Sequence, residues 1–240
     1  MGHRVYFPSL ETVESGLITV TGEEAHHALR VKRLAVGDAI DVLDGQGRVA
    51  RTRIATTDKT RDGWAMGLEV GSLDRVTQVA PLVTVAAAVP KGERLEWIID
   101  GLSQVGAAAW RPLSTRRSVV DPREGKLERL HRVAIEAMKQ CGRAHVLQLL
   151  PIASLAESLK TGRVVIADAS GGEYQPTGAD AITLLIGPEG GWEPAELEAA
   201  AGAGAIIARF GPHVMRTEMA AVVACAEVLS VEKRSRARAV

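Results

Sequence analysis

The sequence predicts an α/β protein in two parts: a small β-barrel over residues 1–75, then a domain built on a mostly parallel sheet over residues 76–240. Three observations carry this reading. Short alternating strands separated by glycine turns fill the first third. A polar run from Asp74 to Pro81 ends in proline and reads as a linker. Beyond it, apolar strand-like runs alternate with helical runs, the pattern of a parallel sheet covered by helices.

In the first part, Leu17–Val20 reads as a strand. Thr21-Gly22-Glu23-Glu24 is a capping signal for a short helix carrying His26, His27, Leu29 and Arg30. Ala39–Leu43 is a second strand, followed by the turn Asp44-Gly45-Gln46-Gly47. Val49, Arg51 and Arg53 then alternate with Ala50, Thr52 and Ile54, a hairpin signature. Trp64–Val70 alternates once more.

In the second part, Leu82–Val89 is continuously apolar, as in a strand buried on both faces. Glu93–Val105 places Leu95, Ile98, Ile99 and Leu102 on one helical face. Strands are expected again at Val164–Ala167, Ile182–Ile186 and Ala205–Phe210. Helices are expected at Lys126–Cys141, Ser154–Leu159, Pro194–Ala201 and Glu218–Val231. The stretch Met219–Leu229 is apolar almost all round, so burial on more than one side is expected, by the fold interior or by a second subunit. The basic tail Lys233–Arg238 is expected to fray.

Composition bounds the function. With 46% apolar residues the 240-residue chain supports a sizeable core. No run approaches the ~20 apolar residues a bilayer demands. Met1–Pro8 lacks the apolar core of a secretion signal, and Tyr6 rules out a myristoylation motif, so a cytoplasmic protein without membrane association is expected. Cys141 and Cys225 sit in no CxxC or His-rich pattern, so no metal is expected. Charges balance at 29 against 29 but are segregated. Arg111–Arg143 carries nine Lys and Arg against four acids, whereas Val164–Ala208 carries seven acids and no Lys or Arg. A phosphate-attracting patch beside a neutral-to-acidic pocket fits this, as does a solvated helix face. Aromatic residues make up only 3%, too few for a long base-stacking platform.

Two strand-to-helix loops concentrate the chemistry. Ile186-Gly187-Pro188-Glu189-Gly190-Gly191-Trp192 follows one strand, and Pro194 opens the next helix at the favoured first position. Glycine-rich turns at the carboxyl edge of a parallel sheet let a ligand approach the backbone, although a plain tight turn has the same composition. The loop is neither a dinucleotide fingerprint nor a P-loop. The second, Phe210-Gly211-Pro212-His213-Val214-Met215-Arg216-Thr217-Glu218-Met219-Ala220, also links strand to helix, with Thr217 as the expected N-cap.

Together, in this order and at this spacing, the two loops resemble the paired signature of the RsmE family of SPOUT methyltransferases. His26-His27-Ala28-Leu29-Arg30-Val31, Arg117-Ser118 and the run Glu136–Arg143 resemble further elements of that family, so the likeness spans residues 3–230. Three positions depart from its pattern: Met219 stands where Thr is usual, Met215 where Leu is usual, and Gln104-Val105-Gly106 where Glu-Leu-Gly is usual.

The resemblance implies a PUA-like barrel followed by a trefoil-knotted α/β domain that works as a homodimer. It implies S-adenosyl-L-methionine as methyl donor, no metal, and N3 of a uridine in 16S rRNA as acceptor, within the assembled small ribosomal subunit. Donor contacts are carried onto Leu185, Gly187, Glu189, Gly190 and Gly191 in the first loop, and onto Phe210, Gly211, Val214, Met215 and Thr217 in the second. Arg216 and Glu218 match the family's Arg-Thr-Glu. Uridine N3 must lose a proton to become nucleophilic, so Arg216 is expected to stabilise the developing anion, with Glu218 accepting the proton or holding Arg216. A simple capping ion pair between these two is the plainer alternative. Arg4, Arg30, Arg116, Arg117 and Arg143 are expected on the RNA backbone. His26 and His27, in the barrel, are expected to cap or to touch RNA rather than to catalyse. The rival readings are a SPOUT-type tRNA methyltransferase and a non-catalytic RNA-binding protein.

Overall fold

The computed structural model describes residues 2–10, 16–61, 63–90, 94–118 and 124–238. Glu93, the expected first residue of a helix, and Asp121 and Arg123 of the basic stretch lie outside them. The chain divides into two compact units, Met1–Gln78 with Met138–Val146, and Val79–Ala137 with Leu147–Val240.

The first unit contains β1 (His3–Tyr6), β2 (Leu17–Thr21), β3 (Ala39–Leu43), β4 (Arg48–Thr60) and β5 (Gly63–Arg75), ordered β1-β3-β4-β5-β2 in one sheet. All pairings are antiparallel except that of β1 with β3. Alternation buries Ile18 and Val20, Ile40 and Val42, and Met66 and Leu68 in one core. The expected turn forms because Asp44 Oδ1 accepts from the amides of Gln46 (2.7 Å) and Arg48 (2.9 Å). β4 and β5 extend beyond the strands read from the sequence at Val49–Ile54 and Trp64–Val70, and their register shifts at Arg51/Thr52 and Ile54/Thr56 mark bulges that twist the ribbon.

Helix α1 (Gly22–His26) continues into a π-helical turn, His27–Val31. Thr21 occupies its N-cap, but the side chain makes no capping hydrogen bond. Glu24, the expected capping-box partner, accepts instead from the Tyr6 amide (3.0 Å) and from Lys139. A strand amide and a cation satisfy this carboxylate better than a helix end does. The added segment from Met138 joins the unit through apolar contacts of Met138 and Ala144 with Leu43 and Val49. The Arg4 guanidinium also donates to the Lys139 carbonyl (2.9 Å).

The second unit is a parallel sheet flanked by helices. Its strands are β6 (Leu82–Ala87), β7 (Ala109–Ser114), β8 (Gln148–Leu149), β9 (Ala153–Ser154), β10 (Arg163–Glu173), β11 (Ala181–Ile186) and β12 (Ile206–Arg209). They are ordered β12-β10-β11-β6-β7-β8, with β9 also pairing β7, and every pairing is parallel. The helices are α2 (Arg94–Val105), α3 (Glu124–Cys141), α4 (Leu155–Ser158), α5 (Pro194–Gly202) and α6 (Thr217–Arg238). The sequence hides β7, because Arg111 and Pro112 interrupt its apolar run. Tertiary pairing with β6 and complete burial of Trp110 override that local weakness.

One expectation about α6 changes. The helix does not fray at Lys233 but continues to Arg238. Glu232 is fully buried and accepts from Tyr174 Oη (2.7 Å), the amide and hydroxyl of Thr177 (2.6 and 2.8 Å) and the Gly178 amide (3.1 Å). Arg236 donates to Asp180 (3.1 Å) and to the Ala179 carbonyl (2.7 Å). Within the single chain, moreover, α6 buries one stripe, Thr217, Glu218, Ala221, Ala224, Cys225, Val228 and Glu232. Met219, in the same helix, is 55% exposed, and Trp97 of α2, which packs on α6, is 69% exposed.

Candidate functional site

Both loops leave the sheet at the carboxyl ends of their strands, the first from β11 and the second from β12. In the first, the Gly191 amide donates to the Pro188 carbonyl (2.8 Å), closing a tight turn. Gly191 (φ 69°) and Gly211 of the second loop (φ 70°) occupy the left-handed region, which suits glycine at both bends. Gly187 serves a different need. A Cβ there would lie 2.9 Å from the Trp192 ring, so the backbone runs flush against the indole. Trp192 is itself held by its Nε1–H, which donates to the Ala167 carbonyl (3.0 Å).

The loops meet directly. Thr217 is the first residue of α6 rather than its N-cap, and the Arg216 carbonyl accepts the first helical bond from the Ala220 amide (2.8 Å). That frees the Thr217 hydroxyl to donate to the Gly187 carbonyl (3.1 Å). A third edge comes from β10. Its pairing with β12 shifts between Ala167 and Gly172, and this irregularity brings Asp168 and Ala169 to the same place.

These three edges border an open cavity of about 360 Å³, within the range of small-molecule sites. Of the expected donor residues, Gly187, Glu189, Gly191, Phe210, Gly211, Val214, Met215 and Thr217 line it. Leu185 and Gly190 do not. Leu185 is buried in the sheet core, and the Gly190 carbonyl is turned outward to accept from Arg117. Sequence reasoning missed Asp168, Ala169, Trp192 and Arg209, which also line the cavity. The end of an apolar strand at Ile166-Ala167-Asp168 was the signal available for the first two.

Arg216 and Glu218 adjoin the cavity-lining Thr217 without lining the cavity themselves. Arg216 is exposed. Glu218 is buried, and its ion pair is with Arg94 of α2 (3.7 Å), which also pairs with Glu189. Arg94 was not singled out from the sequence, where 95 residues separate it from Glu189 and more from Glu218.

The expected RNA-contacting arginines scatter. Arg117 is paired with Glu193 (3.6 Å) and bonded to Gly190, and Arg116 is paired with Glu193 (3.8 Å). Both therefore brace the first loop. Arg4 caps carbonyls near the end of α3. Arg30 lies over the Trp64 ring at 5.3 Å, with Lys59 at 5.9 Å from the same ring. His26 and His27 are exposed in the first unit. Among the described residues no cluster of three or more His, Cys, Asp or Glu is arranged to hold a metal. No described helix is long and apolar enough to cross a membrane.

A parallel sheet with two strand-to-helix loops pinned around one cavity, in a chain that also carries a five-stranded, mostly antiparallel unit, defines a class. Residues 78–229 match the RNA methyltransferase domain model, and residues 20–61 match the RNA methyltransferase PUA domain model. The chain belongs to the ribosomal RNA small subunit methyltransferase E family. The member from Synechocystis sp. is 31% identical over 95% of this chain and 77% of its own length. The one from Mycobacterium bovis is 32% identical over 90% and 87%. Among solved structures, a Legionella pneumophila protein described as a methyltransferase, in complex with bound cofactor SAM, superposes with a TM-score of 0.81. It is 25% identical, over 96% of this chain and 98% of that one.

Proposed function

We propose that the protein transfers a methyl group from S-adenosyl-L-methionine to N3 of a uridine in 16S rRNA. The observation that carries this is the cavity between the two loops, which the Thr217–Gly187 hydrogen bond joins. Its walls suit an adenosine-bearing ligand. Glycine backbone at 187, 191 and 211 offers main-chain donors and acceptors to a planar base. Ile186, Trp192, Phe210 and Met215 offer apolar surface, and Asp168 and Glu189 offer carboxylates for polar or cationic groups. The Legionella protein's bound SAM supports the same choice of ligand.

The bound donor supplies an electrophilic methyl carbon and a sulfonium leaving group. The protein's own residues then position, deprotonate and exclude water. Arg216, exposed at the start of α6, stabilises the negative charge that develops on the uracil ring as N3 loses its proton. Glu218 takes up that proton. Its second oxygen, Oε2, is buried and accepts no hydrogen bond from the described residues, so its acceptor capacity is unspent. The products are the N3-methylated base, a proton and the demethylated thioether. Because N3 lies on the pairing edge, the base reacts unpaired.

The same reading makes residues 1–75 the RNA-holding PUA-like domain and residues 76–240 a trefoil-knotted SPOUT domain. Arg30 and Arg143 are its backbone contacts, with the small ribosomal subunit as the working substrate in the cytoplasm. It makes the active species a homodimer, for which the exposed Met219 and Trp97 supply apolar surface. Mass spectrometry of rRNA from a deletion strain tests the acceptor: loss of one N3-methyluridine from 16S rRNA is expected, and an altered tRNA ribose instead would sink the assignment. An Arg216→Ala enzyme that binds donor normally is expected to be slower by about a hundredfold or more.

A further inference from the structure

We propose that Arg94 is a positioning residue for methyl transfer, acting through Glu218. The inference rests on the role given to Glu218 above. Arg94 Nη1 bonds Glu189 Oε1 in the first loop, and its Nε lies 3.7 Å from Glu218 Oε1 in the second. One guanidinium therefore spans both loops.

The two halves of this bridge are unequal. Glu189 is exposed on 58% of its side chain and Arg94 on 37%, so their pair is solvated and contributes little by itself. Its effect is to fix the direction of the guanidinium fork. Glu218 has only 10% of its side chain exposed. A carboxylate that far out of water is stable as an anion only beside a compensating charge. Arg94 supplies that charge to Oε1 and leaves Oε2 buried and without a donor among the described residues. Removing the cation leaves the carboxylate without the partner that fixes Oε1, so it turns toward water and is withdrawn as acceptor from the transfer step. The walls of the donor cavity change little, because loop one remains held by Thr217, Arg117 and Trp192.

The test is a double-mutant cycle with Arg94→Gln and Glu218→Gln. It reads single-turnover methylation of unmethylated small ribosomal subunits and calorimetric binding of S-adenosylmethionine, on variants whose melting confirms folding. Arg94→Gln is expected to slow transfer about tenfold or more while leaving donor Kd within about threefold, and Arg94→Lys, which keeps the charge but not the fork, to recover part of that rate. The double variant is expected to be no slower than Glu218→Gln alone. Losses that multiply, a Lys variant as slow as Gln, or an Arg94→Gln enzyme of normal rate beside a slow Glu218→Gln would overturn the role of Arg94. A Glu218→Gln enzyme of normal rate would overturn the reading of Glu218, and this inference with it. If Arg94→Gln does not fold, Arg94→Lys/Glu218→Gln against Glu218→Gln decides, since any further slowing contradicts action through Glu218.

Discussion

The Thr217 hydroxyl donates to the Gly187 carbonyl across 3.1 Å, joining the two cavity loops over 30 residues of sequence. A net hydrogen bond of this kind contributes about 1 kcal/mol, or about fivefold in an equilibrium. Thr217→Val keeps the shape and removes the donor. Donor affinity is expected to fall about fivefold, while Thr217→Ser stays within about twofold. Calorimetric titration with S-adenosylmethionine checks both, and a Val variant that binds as tightly as wild type would remove this bond from the account of the site.

Gly187 and Gly202 make a contrasting pair. A Cβ at Gly187 meets the Trp192 ring at 2.9 Å, whereas one at Gly202, the end of α5, meets nothing within 4 Å. Gly187→Ala must displace an indole bonded to Ala167, at an expected cost of about 1–3 kcal/mol in stability and roughly tenfold or more in donor affinity. Gly202→Ala is expected to be neutral or to stabilise by up to about 0.5 kcal/mol. Thermal melts with and without donor separate the two.

Glu232 gives the fold a pH dependence of known sign. Burial by itself raises its carboxyl pKa. The hydrogen bonds from the Thr177 amide, the Tyr174 and Thr177 hydroxyls and the Gly178 amide outweigh burial and hold it below the ordinary glutamate value. A carboxyl with a depressed folded-state pKa contributes stability above its unfolded pKa, lost as pH falls through the folded one. Wild-type stability is therefore expected to decline below about pH 4.5. Glu232→Gln is expected to cost about 1–3 kcal/mol at about pH 7 and to flatten that decline. Denaturant unfolding at a series of pH values measures both. Tyr174, whose ionisation is pushed upward chiefly by burial, stays a neutral donor throughout.

Arg30 is exposed and its guanidinium lies over the Trp64 ring at 5.3 Å, so its charge faces solvent. A cation that neutralises one phosphate contributes about 0.7–0.9 to the slope of log Kd against log salt. Arg30→Glu with Arg143→Glu is accordingly expected to flatten RNA binding by roughly one to two units of slope. A filter-binding series in salt that returns the wild-type slope would take both residues off the RNA.

Local pattern alone determined much of this protein. Short apolar runs announced β2 and β3, and alternating residues announced β4, in a hairpin with β3, and β5, because one buried face imposes a period of two. The apolar run of β6 announced a strand covered on both sides and that of β11 a further strand, and the two loops were legible as a pair through their resemblance to a known family's paired signature. Other features depend on groups distant in sequence. β7 forms because β6 is there to pair with Arg111 and Pro112. The last helix continues through its basic tail because Tyr174, Thr177 and Gly178 wait for Glu232. Thr217 serves Gly187 instead of capping, Arg117 braces a loop, and Arg94 spans two carboxylates. A period in sequence reports which face a residue occupies, whereas the partner of a polar group is set by what the folded chain brings within about 3 Å.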